Sequence, residues 1–325
     1  MKHFWGSYLV LIAVSIAAFF LWGLGGLYIV LLLALLEVSL SFDNAVVNAK
    51  ILEAMDPIWQ KRFIVWGIPI AVFGMRCVIP VIIVWAVSNM SLIQTFVFAV
   101  SDTEKYSEVL RENEDIIYAF GGAFLIMVAQ SFYFDKSRKI FWIEFWENNF
   151  IVQRVSQIKS IAIICATAGG IALLAITDSA SIGIAYFLGV LLFEIIHKAN
   201  ALFPSSGARS GFAGFMYLEV LDASFSLDGV IGAFALSDNI FIIMMGLGVG
   251  ALFVRSITLF LVHKGSIVEY RYLEHGAYYA IFVLALIMFM KIFWEVEEWI
   301  TGSIGAIFIV SAFIHSIIIN KRQFG

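Results

Sequence analysis

Residues 27–52 form a run apolar enough to lie in a bilayer, yet EVSLSFDNAVVNA (37–49) sets Glu37, Asp43, Asn44 and Asn48 inside it. An ionised carboxylate in hydrocarbon is costly, so a chain keeps one there only against a partner, a cavity or an ion. The pattern recurs at 222–234, DASFSLDGVIGAF, where Asp222 stands six residues before Asp228 as Glu37 stands six before Asp43. Ser-x-Ser-x-Asp closes both copies, as Ser39, Ser41, Asp43 and Ser224, Ser226, Asp228. Any fold of this chain has to accommodate two acidic membrane segments of one design.

The rest of the sequence sets the solvent. Only 14% of the 325 residues are charged and 62% are hydrophobic, where soluble domains carry roughly a quarter charged residues. Apolar runs of about twenty residues recur throughout, which selects membrane-spanning helices over a barrel of alternating strands. The net charge of −4 and the lack of a basic cluster give no sign of a nucleic-acid partner. Cys77 and Cys165 both lie in apolar runs, which argues against a disulfide framework or a thiolate metal site and for two small core residues.

Apolar segments fall near 7–22, 27–52, 63–87, 115–134, 159–176, 180–197, 211–236, 239–263, 276–294 and 300–319. The first is read as a retained helix, since no small-residue cleavage site follows it. Lys and Arg collect in every second connection, including Lys61 and Arg62, Lys136 to Lys139, Lys198 and Arg209, Lys264 and Arg271, and Lys321 and Arg322. That alternation places both termini in the cytoplasm. Residues 102–115 read as an acidic outer loop, and 140–152, with Phe141/Phe145 and Trp142/Trp146 at helical spacing, as one interfacial helix.

With this orientation the two acidic segments run in opposite directions. The correspondence continues: GIPIAVFGMR (Gly67–Arg76) matches GLGVGALFVR (Gly246–Arg255), and Glu114-x-x-x-Tyr118 matches Glu274-x-x-x-Tyr278. The expected fold is an all-α polytopic membrane protein of about ten transmembrane helices, one membrane domain over 1–325. Within it, 27–134 is a three-helix repeat and 211–294 its inverted mate. Residues 135–210 supply the connecting interfacial helix and two linking spans, and 295–325 a C-terminal span.

The chemistry is that of oxygen ligands. Glu37, Ser41, Asn44 and Asn48 share a helix face, while Asp43 lies about a third of a turn away. For Glu37 and Asp43 to converge, the helix must break near Ser41–Asn44. In the second copy Glu219, Asp222 and Ser226 follow one another a turn apart, with Asp228 displaced. Carboxylates, amides and hydroxyls without His or Cys suit Mg²⁺, Ca²⁺ or Mn²⁺. Arg76 and Arg255 read as counter-ions or gating residues to an acid set larger than one dication needs.

E-x-x-L-S-x-D-N-A at Glu37–Ala45, F-S-L-D-G-V at Phe225–Val230 and E-H-G at Glu274–Gly276 resemble the TerC family of bacterial membrane proteins. The likeness is greatest to its branch catalogued as a domain of unknown function. The resemblance implies a two-repeat transporter related to LysE-type exporters, with manganese as cargo and Asp43, Asn44 and Asp228 as ligands. The function expected is therefore secondary export of a hard divalent cation, manganese first, across a bacterial inner membrane by alternating access. Proton exchange is the expected energy source, since the chain lacks an ATP-binding loop. No enzymatic activity and no prosthetic group are expected. The partners are the metal ion, protons and lipid, and a homo-oligomer is compatible. An intramembrane aspartyl protease, a scaffold with a structural ion, and Ca²⁺, Mg²⁺ or an organic solute as cargo stay open.

Overall fold

The computed structural model describes residues 4–78, 81–82, 84–85, 90–158, 160–202, 211–237, 239–264 and 270–324. The side chains of Asp228 and Cys77 lie outside the described residues. All regular structure among the described residues is helical. In order it runs Trp5–Leu40 (α1), Phe42–Glu53 (α2), Pro57–Pro69 (α3), a π-helical segment Ile70–Val78, Leu92–Ser101 (α4), Thr103–Glu112 (α5), Glu114–Tyr133 (α6) and Glu144–Glu147 (α7). It continues through Phe150–Val155 (α8), Ile161–Thr177 (α9), Ala180–Leu202 (α10), Phe212–Leu236 (α11), Ile240–Lys264 (α12), Leu273–Lys291 (α13) and Glu298–Phe324 (α14).

Among the described residues, six helices have the length and apolarity to cross a membrane, within α1, α6, α10, α12, α13 and α14. Large apolar side chains such as Phe20, Leu31, Ile171, Ile184 and Leu188 point outward, the arrangement that lipid rather than water rewards. Helix α11 has the length but carries Glu219, Asp222 and Asp228.

Helix α1, with 36 residues, would be about 54 Å long if straight, against a hydrocarbon core of about 30 Å. It folds at Gly23 (φ 70°, ψ −162°), a conformation open to glycine alone at little cost. Both arms lie on α12, in opposite directions. In the first, Ser7 Oγ donates to the Leu252 carbonyl (3.0 Å) and Phe4 meets Phe260. In the second, Leu33 faces Gly246 and Glu37 faces Gly250. A Cβ at Gly250 would lie 2.5 Å from that of Glu37, so this close approach requires glycine.

Helices α6 and α13 form another tight pair, and this one is antiparallel. Phe132 stacks on Tyr278 with centroids 3.9 Å apart, and at the far end Lys291 Nζ sits 5.3 Å from the Tyr118 ring. Pro69, lacking an amide hydrogen, ends α3 and opens the π segment that carries Arg76. This segment and α3 pack on α12, with Val72 at Gly248 and the Arg255 guanidinium against Gly67.

Three expectations are corrected. Residues 102–115 are largely helix α5, capped by Asp102, because Tyr106 and Leu110 bury their side chains on one face. The Lys105 ammonium beside Asp102 holds that carboxyl below its usual range. Cys165 is exposed on α9 rather than in the core. Residues 140–152 form two short helices instead of one, because Glu147 draws the chain inward. Glu147, 4% exposed, pairs with Arg138, accepts from the amides of Trp142 (3.1 Å) and Ile143 (3.2 Å), and meets Tyr279 Oη at 3.3 Å. Trp142 Nε1 also bonds His315 Nδ1 (2.9 Å), tying this segment to α14. Glu147→Ala, which leaves Arg138 buried without its anion, should lower stability by about 3–5 kcal/mol, read as a fall in melting temperature in detergent. Glu147→Gln, which still accepts both amides, should lose less.

Candidate functional site

The two acidic motifs meet. Asn44 Nδ2 on α2 donates to Asp222 Oδ1 on α11 at 2.5 Å, and Gly229 on α11 faces Glu37, whose Oε2 would lie 3.4 Å from a Cβ there. As the residue number rises from 37 to 44 on one side, it falls from 229 to 222 on the other. The motif segments therefore cross antiparallel, and each acid of the first position meets the residue after the aspartate of the other copy.

Each acid–arginine set lies within one half of this crossing. Arg76 from the π segment pairs with Glu37 and also donates to the Ala71 carbonyl. Ser41 Oγ adds a hydrogen bond to the same Glu37 oxygen at 3.1 Å. Arg255 from α12 reaches Glu219 at 3.3 Å and Asp222 at 3.5 Å, donates to the Phe63 carbonyl at 2.8 Å, and lies over the Phe63 ring. All of these charged side chains are buried except Asp222, which is partly so. In such surroundings an unpaired charge is far more expensive than a paired one, so each arginine fixes the position of its acid. With all three carboxylates ionised, Glu37, Glu219 and Asp222 against Arg76 and Arg255 leave one net negative charge.

Three further polar oxygens in this region are buried without a hydrogen-bond partner among the described residues: Asn44 Oδ1, Asn48 Oδ1 and Ser226 Oγ. Buried polar atoms are seldom left so. Asn44 and Asn48 lie a turn apart on α2, as do Asp222 and Ser226 on α11, so the orphaned oxygens flank the motif crossing.

Asp43 is placed elsewhere. The helix does break at Ser41 (φ −103°, ψ 17°), but the Ser41 amide still bonds the Glu37 carbonyl (3.0 Å) and Ala45 bonds Ser41 (3.1 Å). The break therefore changes the register too little to swing Asp43 onto the Glu37 face. Asp43, 5% exposed, instead lines a cavity with Ser39, Ala280 and Leu284 of α13, and Thr301 and Gly305 of α14. Glu37 and Asp43 are thus not brought to one point. No basic residue lies within ion-pair distance of Asp43 among the described residues. Nor do three or more His, Cys, Asp or Glu side chains gather as a metal cluster among those residues. Asp228 falls on α11, its side chain outside the described residues.

Sequence reasoning passed over Thr301 and Glu147. Thr301 belongs to neither motif, and only packing brings α14 to Asp43. The closeness of α1 and α12 was legible as Gly246-x-x-x-Gly250, a small-residue stripe.

The fold and the buried charges define a helical membrane protein with an ion-paired polar core. Residues 42–323 match the family DUF475, described as proteins of unknown function, and the chain belongs to that family. The match begins at Phe42, so Glu37, Ser39 and Ser41 precede it and the other site residues fall within it. No curated protein and no solved structure matches the chain.

The Glu37–Arg76 pair is open to a direct measurement. Arg76→Met should cost about 3–5 kcal/mol by stranding Glu37. Adding Glu37→Gln should restore part of that loss, so a thermal-melting double-mutant cycle should return a clear coupling energy.

Proposed function

We propose that this chain is a secondary transporter that exports a hard divalent cation, manganese first, by alternating access. The observation that carries the reading is the set of orphaned oxygens, Asn44 Oδ1, Asn48 Oδ1 and Ser226 Oγ, beside a carboxylate set that its two arginines do not fully neutralise. Oxygen acceptors and residual negative charge are what a hard dication requires, and neither benefits an apolar core. The substrate ligands are then Asn44, Asn48, Ser226, Asp222 and Glu37, with Ser41 orienting Glu37 and Glu219 sharing Arg255. Asp228 stays with this set on its motif position alone.

The proposal includes an inverted-repeat architecture of about ten spans with both termini in the cytoplasm of a bacterial inner membrane, related to the TerC and LysE-type exporters. Support comes from the packing. The segments that the repeats equate meet antiparallel: 37 with 229 and 44 with 222, Val72 with Gly248, and Phe132 with Tyr278 opposite Tyr118 with Lys291. The fold at Gly23 divides α1 into two arms, each long enough for one crossing. The protease alternative gains no support, since the Asp43 cavity presents no second carboxylate among the described residues.

Reconstituted in liposomes, the protein should carry Mn²⁺, and Asp222→Asn or Asn44→Ala should cut that flux at least tenfold while leaving a folded protein. No flux of Mn²⁺, Ca²⁺ or Mg²⁺ by the wild type, or full flux by both variants, would remove the basis of the proposal.

A further inference from the structure

Asp43 and Thr301 have no role in the interior charge balance just described, and the two face one cavity. That cavity, of about 10 Å³, has space for a single small ion or water. It is walled by the end of α1 (Ser39, Leu40), the start of α2 (Phe42, Asp43), α13 and α14. Ionised, Asp43 brings one negative charge without a cationic partner among the described residues, and its Oδ1 accepts from the Asn44 amide at 2.9 Å. Thr301 Oγ1, on a side chain 7% exposed, is buried without a hydrogen-bond partner. Ser39 Oγ donates to the Leu35 carbonyl at 2.8 Å, which leaves its oxygen lone pairs free to accept. At Gly305 the wall is backbone, and a Cβ there would already touch Asp43 Oδ2 at 3.7 Å.

We propose that this cavity is a monovalent-cation subsite for an ion of the sodium class, with Asp43 as its charged ligand and Thr301 and Ser39 as neutral oxygen ligands. Charge decides the valence. One carboxylate with hydroxyl oxygens balances a single positive charge, whereas a dication here would keep an uncompensated charge in a low-dielectric interior. Through Thr301, α14 supplies an oxygen that neither acidic motif contains. Two ions would then bind on opposite faces of α2, the dication toward α11 and the monovalent ion toward α14. Occupation of one would bear on the other through a helix only 12 residues long.

This inference rests on the reading of the buried acids as cation ligands, and its test is a binding measurement independent of transport. The full-length protein in detergent is melted in NaCl, KCl and choline chloride at equal ionic strength, and again with MnCl₂. The melting temperature should rise with the logarithm of sodium concentration and not with choline. Thr301→Val and Asp43→Asn should abolish the rise, and Thr301→Ser should keep it. Should Thr301→Val fail to fold, radioactive sodium binding by the wild type and Thr301→Ser, set against Asp43→Asn, reads the same site. Equal melting of the wild type in sodium and choline overturns the subsite, as does a full sodium response in Thr301→Val. A response to MnCl₂ in place of NaCl, lost in Thr301→Val, overturns the monovalent assignment. Absence of sodium stabilisation with intact Mn²⁺ flux defeats this inference alone; sodium stabilisation without any divalent flux defeats the transport reading alone.

Discussion

The structure depends on how buried carboxylates are paid for in a chain that is otherwise hydrocarbon-like. Two solutions lie side by side. Glu37, Glu219 and Asp222 are held by Arg76 and Arg255, each reaching in from the next helical segment of its own half. The halves are then joined by the Asn44–Asp222 hydrogen bond, with Gly229 leaving room for Glu37. A buried pair of this kind is weak evidence of stability, since well-packed apolar residues of equal volume often do as well. Its retention in a core points instead to specificity of arrangement, which is what a binding site needs.

Close helix contact makes that arrangement attainable. In lipid there is no hydrophobic gain in bringing helices together, so packing and hydrogen bonding must supply the association. Gly246 and Gly250 of α12 let the second arm of α1 approach its backbone, and that approach delivers Glu37 to the motif crossing. Pro69 acts in the same direction from the other side, since the π segment that follows it carries Arg76. Polar chemistry and packing are therefore one problem here: moving α12 outward would separate Arg255 from its acids and Glu37 from Gly250 together.

Much of this was legible in the sequence. Long apolar runs announced the helices, and the six-residue acidic spacing announced two related segments whose contacts run antiparallel. The arginines followed from charge, because no buried acid set of that size stands without cations. The facing of Asp43 was not legible. Side-chain spacing called for a break near Ser41, and the break exists, but only the retained carbonyl bonds on either side reveal how little it rotates the chain. Thr301 was invisible for another reason: its place at Asp43 is set by how α14 packs on α13, where Gly276 meets the Phe308 carbonyl. The aromatic stretch 140–152 misled because its helical spacing was read without Glu147, whose burial beside Arg138 overrides local propensity.

The antiparallel crossing of the acidic motifs is the central claim, and thiol cross-linking tests it most directly. The chain contains only Cys77 and Cys165, so a cysteine-free background is two substitutions away. In membranes, a short bifunctional thiol reagent should link Asn44→Cys to Asp222→Cys and Glu37→Cys to Gly229→Cys, and should fail to link Asn44→Cys to Gly229→Cys. Efficient linkage of that last pair, with none in the first two, would mean that the motifs run parallel and would contradict the site as described.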